Sequence, residues 1–178
     1  MSDKKTQMLD AMAAHVLAHG LNNASLRPLA KAAGTSDRML IYHFGTKNGL
    51  IEALLMHLAA QMTFGLNALL PEAPMPSRRA LFETVIAATR NEMFAGYMRV
   101  WHDIVAAAAQ GSATHKAAAG QIIDGFVDWI VKRLPEGEAA PERTARAILT
   151  MIDGVLLMDA VGHAEMAEAV TEAFFPLE

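Results

Sequence analysis

Apolar residues recur at three- and four-residue intervals along nearly the whole chain, the period of helices that bury one face. Leu9, Met12, Ala13, Val16 and Leu17 form one stripe between residues 3 and 19, and Gly20 closes it. Leu26, Leu29, Ala30 and Ala33 form a second stripe. Ser25 precedes it as a residue suited to capping, and Gly34 follows as one suited to the left-handed conformation that ends helices. Pro28 falls in the first turn, where a missing N–H does no harm. Met39, Leu40, His43 and Phe44 make a third short helix between Ser36 and Gly45. Thr46 then caps a long helix expected from Lys47 to about Leu70.

Beyond it, PEAPMPS at 71–77 breaks the chain and PEGEAAP at 135–141 breaks it again. The remaining pattern predicts helices over Ser77–Ala95, Gly96–Gln110, Ser112–Leu134, Pro141 to about Val161, and Ala164–Phe175. Valine and isoleucine nowhere alternate with polar residues for long enough to suggest a strand. No repeat of fixed period is visible. The expected fold class is therefore all-α. Two short helices joined by a tight turn, with a third starting at once, match the helix-turn-helix geometry that puts the second helix in a DNA major groove.

Composition permits this fold and narrows its setting. The 178 residues are 53% hydrophobic, with a mean hydropathy of +0.22, so a sizeable core is expected. No apolar run in the sequence approaches the roughly 18 residues of a membrane span, and MSDKKTQMLDAM lacks the apolar stretch of a signal peptide. There are no cysteines, which excludes disulfides and thiolate metal sites. A soluble cytoplasmic protein without membrane association is the expectation. The net charge of −4 is uneven: six Lys or Arg face three Asp through Leu50, whereas nine face sixteen acids afterwards. A mildly basic head on an acidic body suits a head that meets phosphates.

The residues AxxAG, then a cap, then YHFxxKxxL resemble the DNA-binding domain of TetR-family transcriptional regulators. Leu29, Ala30, Ala33, Gly34, Ser36, Leu40, Tyr42, His43, Phe44, Lys47 and Leu50 carry the resemblance. It implies a three-helix DNA-binding domain over 1–48 and a helical effector-binding and dimerisation domain over 49–178. Thr35, Ser36, Asp37, Arg38 and Ile41 are then candidates for base contact. Arg38 is the sharpest, because a guanidinium can bond guanine O6 and N7 together. Arg38 stands where the family usually has a small residue, and Ile41 where it usually has tyrosine, so the operator sequence stays open. Tyr42, His43 and Lys47 are implied as phosphate contacts, with a turn-supporting role open for His43. Arg27 and Lys31 either touch phosphates or solubilise the second helix.

In the body, Met93, Phe94, Tyr97, Met98, Trp101 and Ile104 form an aromatic and methionine set whose family counterpart lines the effector pocket. A mostly apolar small molecule is the expected ligand, with His102 and Asp103 as polar anchors. An ordinary core stripe is the other reading of that spacing. The segment 144–162 resembles the penultimate helix of the family, which pairs with the last helix in a four-helix dimer interface. Ile148, Met151, Ile152, Val155, Leu156 and Met158 cover more of its circumference than a singly buried helix needs. The expected partners are a pseudo-palindromic double-stranded DNA operator, a small-molecule effector and a second copy of the chain. His57, His102, His115 and His163 form no metal constellation, no Gly-rich phosphate loop occurs, and no cofactor or catalytic site is expected. The competing readings are an all-α small-molecule-binding protein or enzyme with a vestigial helix-turn-helix, and a DNA-associated protein acting through protein partners. Operator selectivity and its release by ligand separate the first reading from both.

Overall fold

The computed structural model describes residues 3–70 and 72–175. Among them the elements are α1 (Asp3–His19), a 3-10 turn at Leu21–Asn23, α2 (Leu26–Ala32), α3 (Asp37–Phe44) and α4 (Lys47–Leu69). They continue with α5 (Arg78–Thr89), a second 3-10 turn at Glu92–Phe94, α6 (Ala95–Ala109), α7 (Ala113–Val131), α8 (Pro141–Ala160) and α9 (Met166–Phe174). No strand occurs among the described residues.

Packing groups these elements into two compact units. Residues 3–64 and 96–122 form the first, and residues 65–95 and 123–175 the second. In the first unit, the apolar faces read from the sequence meet as a small helical core. Leu9, Met12, Ala13 and Val16 of α1 are buried with Leu29 and Ala30 of α2, Leu40 and Phe44 of α3, and Leu50, Leu54 and Leu55 of α4. Each fully buried leucine contributes about 1.5–3 kcal/mol relative to exposure, which is enough to fix the short α2 and α3 in place. α4 is itself long and apolar enough to cross a membrane by length and composition. Its buried leucines show why the sequence reads so, since they belong to a protein core.

In the second unit α5, α8 and α9 pack on one another. Their core includes Leu81, Phe82, Val85, Ile86, Ile148, Ile152, Val155, Leu156 and Phe175. Gly65 lies where an added Cβ would come within 3.2 Å of the Phe94 ring, so the phenyl packs directly on the α4 backbone. Arg133 is fully buried. Its guanidinium donates to the Leu70 and Trp129 carbonyls and to Asn67 Oδ1 at 2.7–3.2 Å, and lies 3.8 Å over the Trp129 ring.

The structure departs from the predicted elements in two places. α5 stops at Thr89, short of Ala95, and the Arg90 guanidinium just past its end bonds both Asp159 oxygens at 2.8 Å and the Ala164 carbonyl at 2.7 Å. Asn91 Oδ1 then accepts from the Met93 N–H and starts the 3-10 turn. The wide apolar face of α8 has an internal explanation as well: Ile148, Ile152, Val155 and Leu156 are spent in the unit's own core, with Met151 and Met158 half-buried. The face α8 leaves to solvent is a different stripe, Arg143, Ala147, Thr150, Gly154, Leu157 and Val161.

Candidate nucleic-acid interface

The site is built by the turn between α2 and α3. Ala33 ends α2, Gly34 takes a positive φ of 61°, and the Thr35 N–H donates back to the Ala30 carbonyl at 2.9 Å. Ser36 then caps α3, its Oγ accepting from the Met39 N–H at 3.3 Å. Ser25 occupies the corresponding position before α2 in extended backbone, yet its side chain makes no capping bond, so that expected cap is positional only.

Burial of Leu40 and Phe44 orients α3 and leaves its other face outward. Ser36, Asp37 and Arg38 are exposed at its N-terminal end, Thr35 and Ile41 are half-buried beside them, and Tyr42 is 77% exposed. Arg27 and Lys31 are exposed on α2. The His43 ring stands edge-on to Tyr42 with centroids 5.2 Å apart. Its Nε2 is buried without a hydrogen-bond partner among the described residues. That nitrogen faces protein, while the residue as a whole is half-buried, so the turn-supporting role and a phosphate contact both stay open for His43.

At the far end of α3 the chain reverses sharply. Gly45 has φ 79°, and Thr46 Oγ1 accepts from the Gly49 N–H at 3.0 Å. A Cβ on Gly49 would sit 2.7 Å from the Phe44 carbonyl oxygen, so only glycine fits there. Lys47 is thereby exposed at the N-terminus of α4, whose unpaired N–H groups favour anions.

A second feature of the first unit was not anticipated from the sequence. Gly96, Arg99 and Asp103 lie along one face of α6, and all three engage the end of α1 and the turn after it. A Cβ at Gly96 would come within 3.1 Å of the Leu17 carbonyl oxygen. Arg99 Nη2 donates to that same oxygen at 2.8 Å. Asp103 Oδ2 accepts from the Leu21 N–H at 2.9 Å and Oδ1 from Asn22 Nδ2 at 3.3 Å. The carboxylate expected to anchor an effector instead holds the segment leading into α2. Its signal in the sequence was absent, because no pattern links positions 82 residues apart.

The expected effector residues are distributed between the units. Met93 is exposed and Phe94 buried in the second. In the first, Ile104 is buried, while Tyr97, Met98, Trp101 and His102 are half-buried on α6. Burial pushes the Tyr97 hydroxyl above its ordinary range, so it acts as a neutral polar group. None of the seven lines the open groove of about 240 Å³ in the second unit, which has Phe82, Ile86 and Ala167 at its floor and Arg79, Arg90 and Glu168 at its rim. Among the described residues no three His, Asp or Glu side chains converge as a metal site would require.

Residues 8–54 match the family model for bacterial regulatory proteins of the tetR family. That segment, which holds α2, α3 and the turn between them, is similar to the DNA-binding domain of tetR-family regulators. The chain is 25% identical to the HTH-type transcriptional regulator BetI of Serratia proteamaculans over 175 residues, which span 93% of the chain and 85% of that protein. Its fold is shared by a TetR-family regulator of Rhodococcus sp., with a TM-score of 0.72, 18% identity, and coverage of 95% of this chain and 94% of that one. A transcriptional regulator from Saccharomonospora viridis in complex with choline superposes with a TM-score of 0.68 at 14% identity, covering 98% of each chain.

Proposed function

We propose that this regulator is a homodimeric repressor that reads a pseudo-palindromic operator in the cytoplasm and is released from it by a small organic effector. The observation that carries the reading is the outward face of α3, where the capped N-terminus presents Ser36, Asp37 and Arg38 to solvent while Leu40 and Phe44 lock the helix from behind. Arg38 reads a guanine, Thr35, Ser36, Asp37 and Ile41 contact neighbouring base edges, and Tyr42 and Lys47 hold phosphates with Arg27. Two heads at a fixed spacing match half-sites in successive major grooves.

The fixed spacing needs a dimer, and the exposed stripe of α8 is the face for it. Gly154 has open space around its Cβ position, so nothing within the protomer requires glycine there. Leu157 and Val161 are 52% and 63% exposed, and on α9 Met166 is 43% exposed. Small residues flanked by exposed apolar ones suit close approach of a two-fold-related copy.

An effector that prefers the wrong-spacing arrangement shifts the population off DNA, and about 1.4 kcal/mol of coupling lowers operator affinity tenfold. Choline in the S. viridis regulator supports a small organic molecule as the effector class. The half-buried Tyr97, Met98 and Trp101 supply a mostly apolar lining for it. The α6 stripe offers the route from that lining to the head, since α6 holds Leu17, Leu21 and Asn22 directly.

The test is selection of bound sequences from a random duplex pool by the purified protein. A two-fold-symmetric motif is expected. Enrichment of no motif, with only weak and salt-sensitive binding, overturns the reading.

A further inference from the structure

Lys5, in the first turn of α1, lies with its ammonium 4.8 Å from the centroid of the Phe44 ring. Phe44 is the last residue of α3, two positions after the exposed Tyr42 and three before the exposed Lys47. That proximity brings the start of α1 against the turn that carries two of the proposed phosphate-binding residues. Lys4 precedes it and is exposed.

Lys5 and Lys47 thus both lie near the C-terminal end of the reading helix, on the first turns of α1 and α4, and Lys4 adjoins Lys5 in sequence. None of them forms an ion pair with an acidic side chain among the described residues. The ring face attracts the Lys5 ammonium and so holds the charge beside the end of α3, where less side-chain freedom is lost when it meets an anion. A lysine that only solubilised the helix would gain nothing from that restraint.

We propose that Lys5, positioned by the Phe44 ring, is a further phosphate-binding residue, so that the DNA footprint extends past the reading pair to the first turn of α1. The partner is the backbone of the same duplex that α3 reads, and the inference rests on the DNA-binding reading above. The interaction is indifferent to base identity, because an ammonium at the flank of the turn meets backbone charge and no base edge.

The test measures affinity of the full chain for its selected operator and for an unrelated duplex between 50 and 200 mM salt. Lys5→Met keeps an apolar stem over Phe44 and removes the charge, and Lys5→Arg retains the charge. Because Lys5→Met neutralises one phosphate fewer, its log–log salt slope is expected to fall by about 0.9. Its affinity deficit then shrinks about threefold across that salt range, alike on both duplexes. Lys5→Arg keeps the wild-type slope. Lys5→Gln repeats the measurement with a polar stem should the methionine variant fold poorly, as judged by helical circular dichroism. A wild-type slope for the neutral variants overturns the proposal and leaves Lys5 as packing for Phe44. Failure of the wild-type chain to bind DNA at all defeats the DNA-binding reading itself, which is a separate and visible outcome.

Discussion

The backbone N–H of Leu21 donates to the Asp103 carboxylate at 2.9 Å, joining the entry to the reading pair with the middle of α6. Leu21 is buried and the bond is partly so, and an orphaned buried donor costs about 1–3 kcal/mol. Asp103→Ala is expected to lower stability by about that amount. Asp103→Asn keeps an acceptor and is expected to restore most of it. Urea unfolding of the two variants checks the difference, and equal losses would show that the bond to Leu21 is not what matters.

Base reading and phosphate holding separate cleanly in the proposed interface. Arg38→Ala is expected to cost about 1–3 kcal/mol on the operator and to relax preference at one base pair. Lys47→Ala should instead weaken all duplexes similarly and flatten the salt dependence. Titrations of both variants against the operator and single-base variants decide between the roles. Interchanged behaviour would overturn the assignment.

Local chemistry made most of the fold legible in the sequence. Gly34 and Gly45 mark both ends of the reading helix, and Ser36 and Thr46 cap as their residue types suggest. The periodic stripes of α1 to α4 became the first core because helix period and burial are both local signals. What stayed hidden depends on distant partners. Asp103 looked like a polar anchor in an aromatic stretch, and only folding reveals that it faces Leu21 and Asn22. Nothing in the sequence singles out Lys5, whose partner, the Phe44 ring, lies 39 positions along the chain. Ile148 and Ile152 looked like partner-facing residues because a sequence cannot say which of two apolar surfaces covers a helix.

Arg133 presents an unusual arrangement, a fully buried cation whose hydrogen-bond acceptors are all neutral. Burial pulls its pKa below the ordinary arginine range, and the charge of Glu72 partly opposes this. The guanidinium satisfies the Leu70 carbonyl, just past the end of α4, where a positive charge is favoured. Arg133→Met is expected to leave that carbonyl and Asn67 Oδ1 without this donor and to destabilise the fold by about 1–3 kcal/mol. A urea midpoint above wild type would mean that the desolvation cost exceeds the value of the bonds.

Acid should act at Glu138. Two bonds from Arg78, at 2.6 and 2.7 Å, hold its carboxyl below the ordinary value of 4.5, assisted by the Thr144 hydroxyl at 3.1 Å. A folded value below the unfolded one means that folding favours the ionised form. The resulting stability is full above the unfolded pKa and is lost as pH falls through the folded one. Wild type should therefore lose more stability than Glu138→Gln between about pH 5 and pH 3. Parallel pH profiles in thermal melts would remove this pair as a contributor.

The proposed dimer face gives the sharpest contrast between two sets of residues on one helix. Leu157 and Val161 point to solvent from α8, whereas Ile148 and Ile152 are 1% and 3% exposed in the protomer's own core. If the exposed stripe meets a second copy, Leu157→Asp buries a carboxylate in an apolar interface and shifts the protein to monomer with its helix content intact. Ile152→Ala should behave in the opposite way, losing about 2–5 kcal/mol of stability while the folded fraction stays dimeric. Sedimentation velocity at micromolar concentration reads the first effect and urea unfolding the second. A Leu157→Asp protein that still sediments as a dimer would place the interface elsewhere. A monomeric wild type would dispose of the two-headed mechanism, since a single head has no spacing for an effector to change.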